Sequence, residues 1–230
     1  MIHWTHCKKK IRGYTNSNFL SLIPKENHPS SFAIFHPISL CNTSYNIIKK
    51  ILATRLKPLM NNLISENQGG FLCHRQISDS ILLVQEAIHS SFSWNEKCFI
   101  LKLDLANAFN RVRHSFLLVV LQKMGFDHNF LDLIKACITG PWISPLINGR
   151  PAPYFQASRG IRQGCPLSPY LLILMVKSFS RDLDHMRRVG LITGIKYGNG
   201  VKNMNHSQFA DDTLLMGGAS NTIAHRFKNI

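Results

Sequence analysis

The sequence predicts an α+β fold, because segments typical of helices and of strands follow one another without a regular strand–helix–strand rhythm. Long segments with apolar residues three and four positions apart, at 44–63 and 78–91, are typical of helices. Short apolar runs typical of strands end at Asp104 and flank Asp211-Asp212. With 230 residues, 45% of them apolar and 17% charged, the chain can bury a sizeable core.

Two helices are predicted before the first of these strands. The helical pattern of residues 44–63 contains Pro58, which is expected to kink or split the helix. The second helix is predicted over 78–91, and the following strand over 98–105, with Asp104 at its end. The buried face of the second helix is expected to consist of Ile81, Leu82, Val84, Ala87 and Ile88.

The middle of the chain is predicted to contain two more helices and a hairpin. The helices are expected over 113–124, where Gly125 can form a left-handed cap, and over 128–138. Asn148-Gly149 is the strongest hairpin signal in the chain and follows the apolar run Ile143–Ile147.

The last third is predicted to hold one long helix followed by short strands. Ser168-Pro169 is typical of a helix start, with serine as N-cap and proline in the first turn, and the helix should run toward Arg187. Strands are expected near Ile195–Tyr197, at His206–Phe209 and at Thr213–Met216. The last two should pair as a tight hairpin with Asp211 and Asp212 at its tip.

These aspartates suggest a catalytic site. A carboxylate among apolar strand residues is costly to bury unless it is paired or bound to a metal. If the fold brings Asp104 beside Asp211 and Asp212, the acidic cluster has nothing local to neutralise it, and two divalent cations would do so. Two divalent cations held side by side in this way support phosphoryl transfer, the chemistry of a nucleotide polymerase. Alternatively, Asp-Asp is a common turn dipeptide, and an aspartate at a strand end is often simply solvated.

The overall charge favours a polyanionic partner. The chain has 27 Lys and Arg against 12 Asp and Glu, a formal net charge of +15. Such an excess promotes association with nucleic acid through counterion release, although an indifferent basic surface is the alternative. Six widely spaced cysteines without a Cys-x-x-Cys pair favour neither a zinc site nor a disulfide framework. No secretory signal or bilayer-length apolar run is present, so we expect a nuclear or cytoplasmic protein without membrane contact.

Several separated motifs then occur in one order along the chain. They are Leu22-Ile23-Pro24-Lys25, Phe35-His36-Pro37-Ile38-Ser39-Leu40, Ile64-Ser65-Glu66-Asn67-Gln68 with Gly70-Phe71, Arg75-Gln76-Ile77, Lys102-Leu103-Asp104 with Ala108-Phe109, Gly160-Ile161-Arg162-Gln163-Gly164-Cys165-Pro166-Leu167-Ser168-Pro169, and Phe209-Ala210-Asp211-Asp212. From about Leu20 to Met216 the sequence resembles the reverse transcriptase of non-LTR retrotransposons, in particular the LINE-type elements of plants.

The resemblance implies a right-hand polymerase fold. It places fingers at 20–97 and palm with interleaved fingers elements at 98–230, after an N-terminal basic segment at 1–19. Only Gly217–Ile230 follow the last motif. We therefore expect a truncated reverse transcriptase domain with a partial palm and without its thumb.

The resemblance also implies roles for individual residues. Asp104, Asp211 and Asp212 correspond to the catalytic carboxylates that hold two Mg²⁺ ions, for which Mn²⁺ can substitute, and the Leu105 carbonyl is a further ligand. Phe109 corresponds to the aromatic ring beneath the sugar, which excludes a 2′-hydroxyl. The remaining nucleotide-binding positions are Gln163 and Gly164, against the nascent base pair, and Lys25 and Arg75, near phosphate.

The implied activity is RNA-directed DNA polymerisation. Its substrates are a dNTP, an RNA template and the 3′-hydroxyl of a DNA primer. An alternative is a catalytically inactive, basic nucleic-acid-binding remnant of a decayed element, and a third interpretation is an RNA-templated RNA polymerase, against which Phe109 argues. The departures from the family pattern are His36 in place of arginine, Asn110 in place of an acid, His74 in place of glycine and Cys165 in place of aspartate.

Overall fold

The protein is described by a computed structural model over residue 5 and residues 7–11, 13–196 and 203–228. The chain forms two compact units, each assembled from two stretches of sequence. The first unit contains Met1–Leu59 and Asn107–Leu172, and the second contains Met60–Ala106 and Ile173–Ile230.

Helices and short strands are mixed along the described residues, which confirms the predicted α+β class. The helices are α1 (Gly13–Asn16), α2 (Thr43–Leu63), α3 (Ile77–Ser93), α4 (Ala108–Arg111), α5 (His114–Lys123), α6 (His128–Ile138), α7 (Ser168–Arg188) and α8 (Asn221–Lys228). The strands are β1 (Asn18–Pro24), β2 (Phe35–Cys41), β3 (Cys98–Asp104), β4 (Trp142–Ile147), β5 (Arg150–Pro151), β6 (Phe155–Gln156), β7 (His206–Phe209) and β8 (Asp212–Gly218).

The first unit is built on a mixed sheet with strand order β2–β1–β4–β5 and β6 beside β4. β1 is antiparallel to β2 and parallel to β4. The predicted hairpin joins β4 to β5, and both Asn148 (φ 51°) and Gly149 (φ 75°) have the positive φ that a tight two-residue turn requires. The fully buried residues of this unit include Tyr45, Leu117, Leu121, Ile134 and Leu167.

The second unit is built on a three-stranded antiparallel sheet with strand order β3–β8–β7. Apolar clusters lie against this sheet. One contains Ala87, Ile195, Met204 and Met216, and the other contains Leu183, Ile192, Leu215 and Phe227. In the second cluster the rings of Phe99 and Phe227 meet edge to face, with centroids 5.4 Å apart.

The helix predictions are confirmed at α2, α3, α5, α6 and α7, while one of the two outcomes expected at Pro58 and part of the buried face expected of α3 were wrong. The helix α2 is not split at Pro58. Both Pro58 and Thr54 are exposed, so the Thr54 carbonyl that loses its helical partner can bond to water. In α3, Ala87 is buried as predicted, whereas Ile81 is 49% and Leu82 61% exposed.

The helix α3 packs through small side chains and through only part of its predicted apolar face, since Val84 and Ala87 contact the core whereas Ile81 and Leu82 do not contribute to it. Its buried residues are Ala87, Ser90 and Ser91. Because these side chains are short, the last turns of the helix can lie close to the cluster that contains Met216. The predicted strand at Ile195–Tyr197 is reduced to a bridge between Ile195 and Met204, and Tyr197 lies outside the described residues. No helix within the described ranges is long and apolar enough to cross a bilayer.

A buried histidine makes the stability of the second unit depend on pH. Burial lowers the pKa of His206 to about 4. Its Nε2 lies 2.8 Å from Ser180 Oγ and its Nδ1 lies 2.8 Å from Asn205 Oδ1. The neutral ring is therefore the folded form, while the ring in the unfolded chain takes up a proton near pH 6.5.

We predict that the free energy of unfolding falls as the pH is lowered from about 6.5 to about 4, because only the unfolded chain binds the extra proton in that window. The expected contribution of His206 is about 3 kcal/mol. Urea unfolding of the wild type and of His206→Gln across this range measures it. An equally steep pH dependence in His206→Gln would contradict the assignment.

Candidate active site

The predicted aspartate hairpin is present. Phe209 pairs with Asp212, so Ala210 and Asp211 form a two-residue loop between β7 and β8. Asp211 lies in the turn and Asp212 is the first residue of β8. Ala210 has φ 57°, a left-handed conformation that glycine usually occupies in such turns.

The strand register brings Asp104 opposite Asp212. β3 and β8 pair from Cys98↔Gly218 to Asp104↔Asp212, so these aspartates project from the same face. Directly opposed residues of an antiparallel pair have Cβ atoms about 5 Å apart. Asp104 and Asp212 are exposed and Asp211 is half-buried, so the expectation of carboxylates buried among apolar residues was wrong.

A local cation also lies beside these carboxylates, which the sequence argument missed. Lys102 Nζ lies 3.4 Å from Asp212 Oδ1, and the two side chains are 68% and 55% exposed. Lys102 and Asp104 are two residues apart on β3, so both side chains project from one face of the sheet. The aspartates at the ends of β3 and β8 therefore have a positive charge beside them. The pair of Lys102 and Asp212 is too exposed to add much stability.

The carboxylates fit a magnesium ion in part. Among the described residues, no three His, Cys, Asp or Glu side chains form a cluster able to hold a metal ion. Mg²⁺ is usually held by one or two carboxylates together with water and substrate phosphates rather than by a complete protein cage. The opposed pair Asp104 and Asp212, with Asp211 next in the chain, supplies oxygen ligands of that kind.

Residues 67–70 lie along β7 and contact the aspartate turn. Gln68 and Gln208 form a parallel bridge, in which Gln208 N donates to Asn67 O (2.6 Å) and Gly69 N donates to Gln208 O (2.8 Å). The Gln68 amide reaches Ala210, with Nε2 3.0 Å from the Ala210 carbonyl oxygen. Gln68 is the last residue of the motif Ile64-Ser65-Glu66-Asn67-Gln68, but nothing in the sequence indicated its contact with Ala210.

The guanidinium of Arg75 donates hydrogen bonds to three backbone carbonyls. Its Nη1 donates to Ser65 O (2.5 Å) and Gln68 O (2.7 Å), and its Nη2 donates to Ile64 O (3.3 Å). These bonds tie the end of α2 to the segment that precedes α3. His74, beside it, has φ 64°, consistent with a position that favours glycine. The predicted contact of Arg75 with phosphate stays a prediction.

In the first unit, Phe109 lies beside the loop that carries Gln163 and Gly164. Ile161 N donates to Phe109 O (2.8 Å), and Ser39 N donates to Gln163 O (3.1 Å). Gly160 has φ 91°, and a Cβ there would lie 3.0 Å from Asn110 O. The loop is therefore held between α4 and β2, with Phe109 and Gln163 half-buried and Gly164 exposed.

Two buried cations anchor this loop through one aromatic ring. Arg162 Cζ and Lys49 Nζ each lie 4.2 Å from the ring centroid of Tyr45. Arg162 Nη2 also donates to Asn16 O (2.6 Å) and Asn16 Oδ1 (2.7 Å). Burial lowers the pKa of Lys49 and raises the pKa of the nearby Cys137 thiol to about 11, so the ring and not a thiolate balances the cations.

The other predicted positions are Lys25 in the first unit and Leu105 in the second. Lys25 is exposed just after β1, where its backbone N donates to Ile34 O (2.9 Å). Leu105 is half-buried and follows Asp104 directly. Of the departures from the family pattern, His36 is exposed on β2, Cys165 is buried, and Asn110 lines a cavity of about 620 Å³ together with Arg111 and Arg159.

Comparison with known proteins gives consistent matches. The family model described as reverse transcriptase (RNA-dependent DNA polymerase) matches residues 23–228. The uncharacterized 149 kDa protein of transposon TX1 from Xenopus laevis is 30% identical over 86% of this chain. The Pol polyprotein of the type-2 retrotransposable element R2DM from Drosophila melanogaster is 30% identical over 79%. The chain spans 15% and 16% of the length of these relatives.

Solved structures share the fold at low sequence identity. Telomerase from Candida albicans, solved with a fragment of telomeric RNA, matches 96% of this chain with a TM-score of 0.62 and 14% identity. Telomerase from Candida tropicalis, also with a telomeric RNA fragment, matches 96% with a TM-score of 0.64 and 10% identity. The chain covers 41% and 38% of those two chains. The α+β fold is thus similar to that of telomerase reverse transcriptase.

We predict that Arg75→Lys lowers the free energy of unfolding by about 2 kcal/mol, because an ammonium cannot satisfy three carbonyls that the guanidinium fork reaches. Chemical denaturation measures the change. The control is Arg181→Lys, at an exposed position of α7 in the same unit, which is expected to change the value little. Equal stability of the two variants would show that the carbonyl contacts of Arg75 contribute nothing.

Proposed function

The chain belongs to the reverse transcriptase (RNA-dependent DNA polymerase) family and is related to the polymerases of non-LTR retrotransposons, and from this we propose that it adds dNTPs to a primer 3′-hydroxyl under the direction of an RNA template. The observation that carries the proposal is the register that sets Asp104 opposite Asp212, beside Asp211. We also propose that the chain comes from a LINE-type retrotransposon of a plant.

The proposal assigns the two units to parts of a right-hand polymerase. The second unit, which contains the aspartate hairpin and β3, is the proposed palm, and the first unit is the proposed fingers. This division differs from the boundaries 1–19, 20–97 and 98–230 expected from the motifs, because residues 60–97 lie in the second unit, and those boundaries stay predictions, as does the absence of a thumb. The activity of the intact element likewise belongs to the proposal, because this chain spans only a small part of its relatives.

In this proposal Asp104, Asp211 and Asp212 hold Mg²⁺ as two ions, and the Leu105 carbonyl is an added oxygen ligand. Bound Mg²⁺ supplies activation of the primer hydroxyl and neutralisation of the triphosphate. The antiparallel register fixes where Asp104 and Asp212 stand, and Asp211 is placed by the turn. Lys102 balances the Asp212 carboxylate in the absence of a bound cation.

Other residues are proposed to bind the nucleotide and the nucleic acid. Phe109 supports the sugar and rejects a 2′-hydroxyl, while Gln163 and Gly164 pack against the nascent base pair. Lys25 and Arg75 are proposed near phosphate. The net charge of +15 supports electrostatic binding of the RNA template and DNA primer.

The alternative is a nucleic-acid-binding remnant without activity. His36 favours it, because an imidazole stands exposed on β2 where the family has arginine, and a neutral imidazole is a weaker partner for phosphate than a guanidinium. Asn110 is a second departure beside the proposed sugar-binding position. In this alternative, RNA binding is salt-sensitive and independent of the aspartates.

We predict that Asp211→Asn lowers primer extension on an RNA template with Mg²⁺ or Mn²⁺ by about 100-fold or more, because it removes a charge that holds the metal ions. Asp182→Asn, on the exposed side of α7 in the same unit, is the control and is expected to extend primers like the wild type. No extension by any of the three proteins, with equal and salt-sensitive RNA binding, would instead establish the inactive remnant.

We predict that Phe109→Ala increases ribonucleotide incorporation relative to deoxynucleotide incorporation by about tenfold or more, because the ring no longer fills the space of the 2′-hydroxyl. The ratio of kcat/KM values for a dNTP and the matching rNTP measures it. An unchanged ratio would contradict the proposed role of Phe109, and efficient ribonucleotide use by the wild type would favour an RNA-templated RNA polymerase.

A further inference from the structure

The side-chain amide of Gln68 forms two hydrogen bonds with the backbone of Ala210, one to its N–H and one to its carbonyl, as a residue of a neighbouring β-strand would. Its Nε2 donates to Ala210 O (3.0 Å), and its Oε1 accepts from Ala210 N (2.8 Å). The same Oε1 accepts from Gly70 N (2.9 Å). Gln68 is 2% exposed, so each of these bonds is shielded from water. One amide thus satisfies both backbone groups of the residue that opens the aspartate turn.

Ala210 needs such a partner because its backbone is strained. The left-handed region is unfavourable for a non-glycine residue, and Ala210 has φ 57°. Strained conformations persist only where the surroundings hold them in place. Asp211 follows Ala210 directly, so a change in the Ala210 backbone redirects the carboxylate.

Gly70 allows the close approach on which this pairing depends. A Cβ at Gly70 would lie 2.3 Å from Ala210 N and 2.9 Å from Ala210 Cα. No side chain fits there, so residues 68–70 can lie directly against the turn. The bond from Gly70 N to Gln68 Oε1 also fixes the orientation of the Gln68 amide.

From these contacts we propose that Gln68 is a positioning residue, which holds the Ala210-Asp211 turn in the geometry that presents Asp211 to a divalent cation. The inference rests on the proposed function, since it assumes that Asp211 is a metal ligand. It goes further by making the metal affinity of Asp211 depend on an amide that lies 142 positions before Ala210 in the sequence.

The chemistry of the contact selects glutamine. A carboxylate at position 68 could accept from Ala210 N but could not donate to Ala210 O. Methionine would fill a similar volume without either bond. The neighbouring Gln208 provides a matched control, because it is also buried and lies in β7, but its amide donates to Thr213 Oγ1 (3.3 Å) rather than to the turn.

The experiment compares the wild type with Gln68→Met, Gln208→Met and Asp211→Asn, using Mn²⁺ alone as the probe. Mn²⁺ affinity is measured by titration calorimetry, and exchange of the Ala210 amide hydrogen is followed by NMR without metal. For Gln68→Met we expect the Mn²⁺ affinity to fall and the Ala210 exchange to accelerate, each on the order of tenfold, from the loss of buried hydrogen bonds. For Gln208→Met we expect wild-type values of both.

Gln68→Glu keeps the test possible if Gln68→Met fails to fold. The added negative charge should raise Mn²⁺ affinity, whereas loss of the bond to Ala210 O should lower it. A fall therefore supports positioning, and an unchanged or raised affinity overturns it.

The outcomes separate this inference from the proposed function. If Asp211→Asn abolishes Mn²⁺ binding but Gln68→Met binds like the wild type, Gln68 does not position the carboxylate. If Asp211→Asn binds Mn²⁺ as the wild type does, the proposed function fails at its metal site and the inference fails with it.

Discussion

The register of the central strand β8 is the constraint on which the candidate site depends. This strand pairs with β3 on one side and β7 on the other, so a slip would break both ladders at once. Its neighbouring residues Leu215 and Met216 are fully buried in clusters on opposite faces of the sheet. A slip by one residue would exchange these faces. Hydrophobic burial at the middle of the strand therefore decides which residue stands opposite Asp104 at its end.

The two units handle charge in different ways. In the first, Lys49 and Arg162 are buried against the faces of one tyrosine ring, and no ion pair joins either of them to a described Asp or Glu. In the second, the aspartates stand at an exposed sheet edge next to a lysine. The chain has fewer than half as many acidic as basic residues. In the core, an aromatic ring rather than a carboxylate contacts the buried cations, and the aspartates lie instead at the exposed ends of β3 and β8.

Much of the local structure could be predicted from the sequence, because the signals were local. Apolar spacing and end signals such as Gly125 and Asn148-Gly149 placed most helices and one hairpin. The exposure of Ile81 and Leu82 could not be predicted, since it depends on which side of α3 reaches the sheet. The contact between Gln68 and Ala210 was equally inaccessible, because the pattern of residues near Gln68 carries no information on a turn formed much later in the chain. The burial expected for the aspartates was wrong because both β3 and β8 have their aspartate at an end, where the apolar neighbours no longer surround it.

The ammonium of Lys102 beside Asp212 affects the cation binding that we propose for Asp104 and Asp212. In the proposed metal site, a divalent ion bound between Asp104 and Asp212 would replace a charge that is already there, so binding would be an exchange and not a simple addition. The long, exposed lysine stem can swing into solvent as the ion arrives. The local charge then rises by one unit instead of two, which makes occupancy of the edge a competition between an ion in solution and a tethered one.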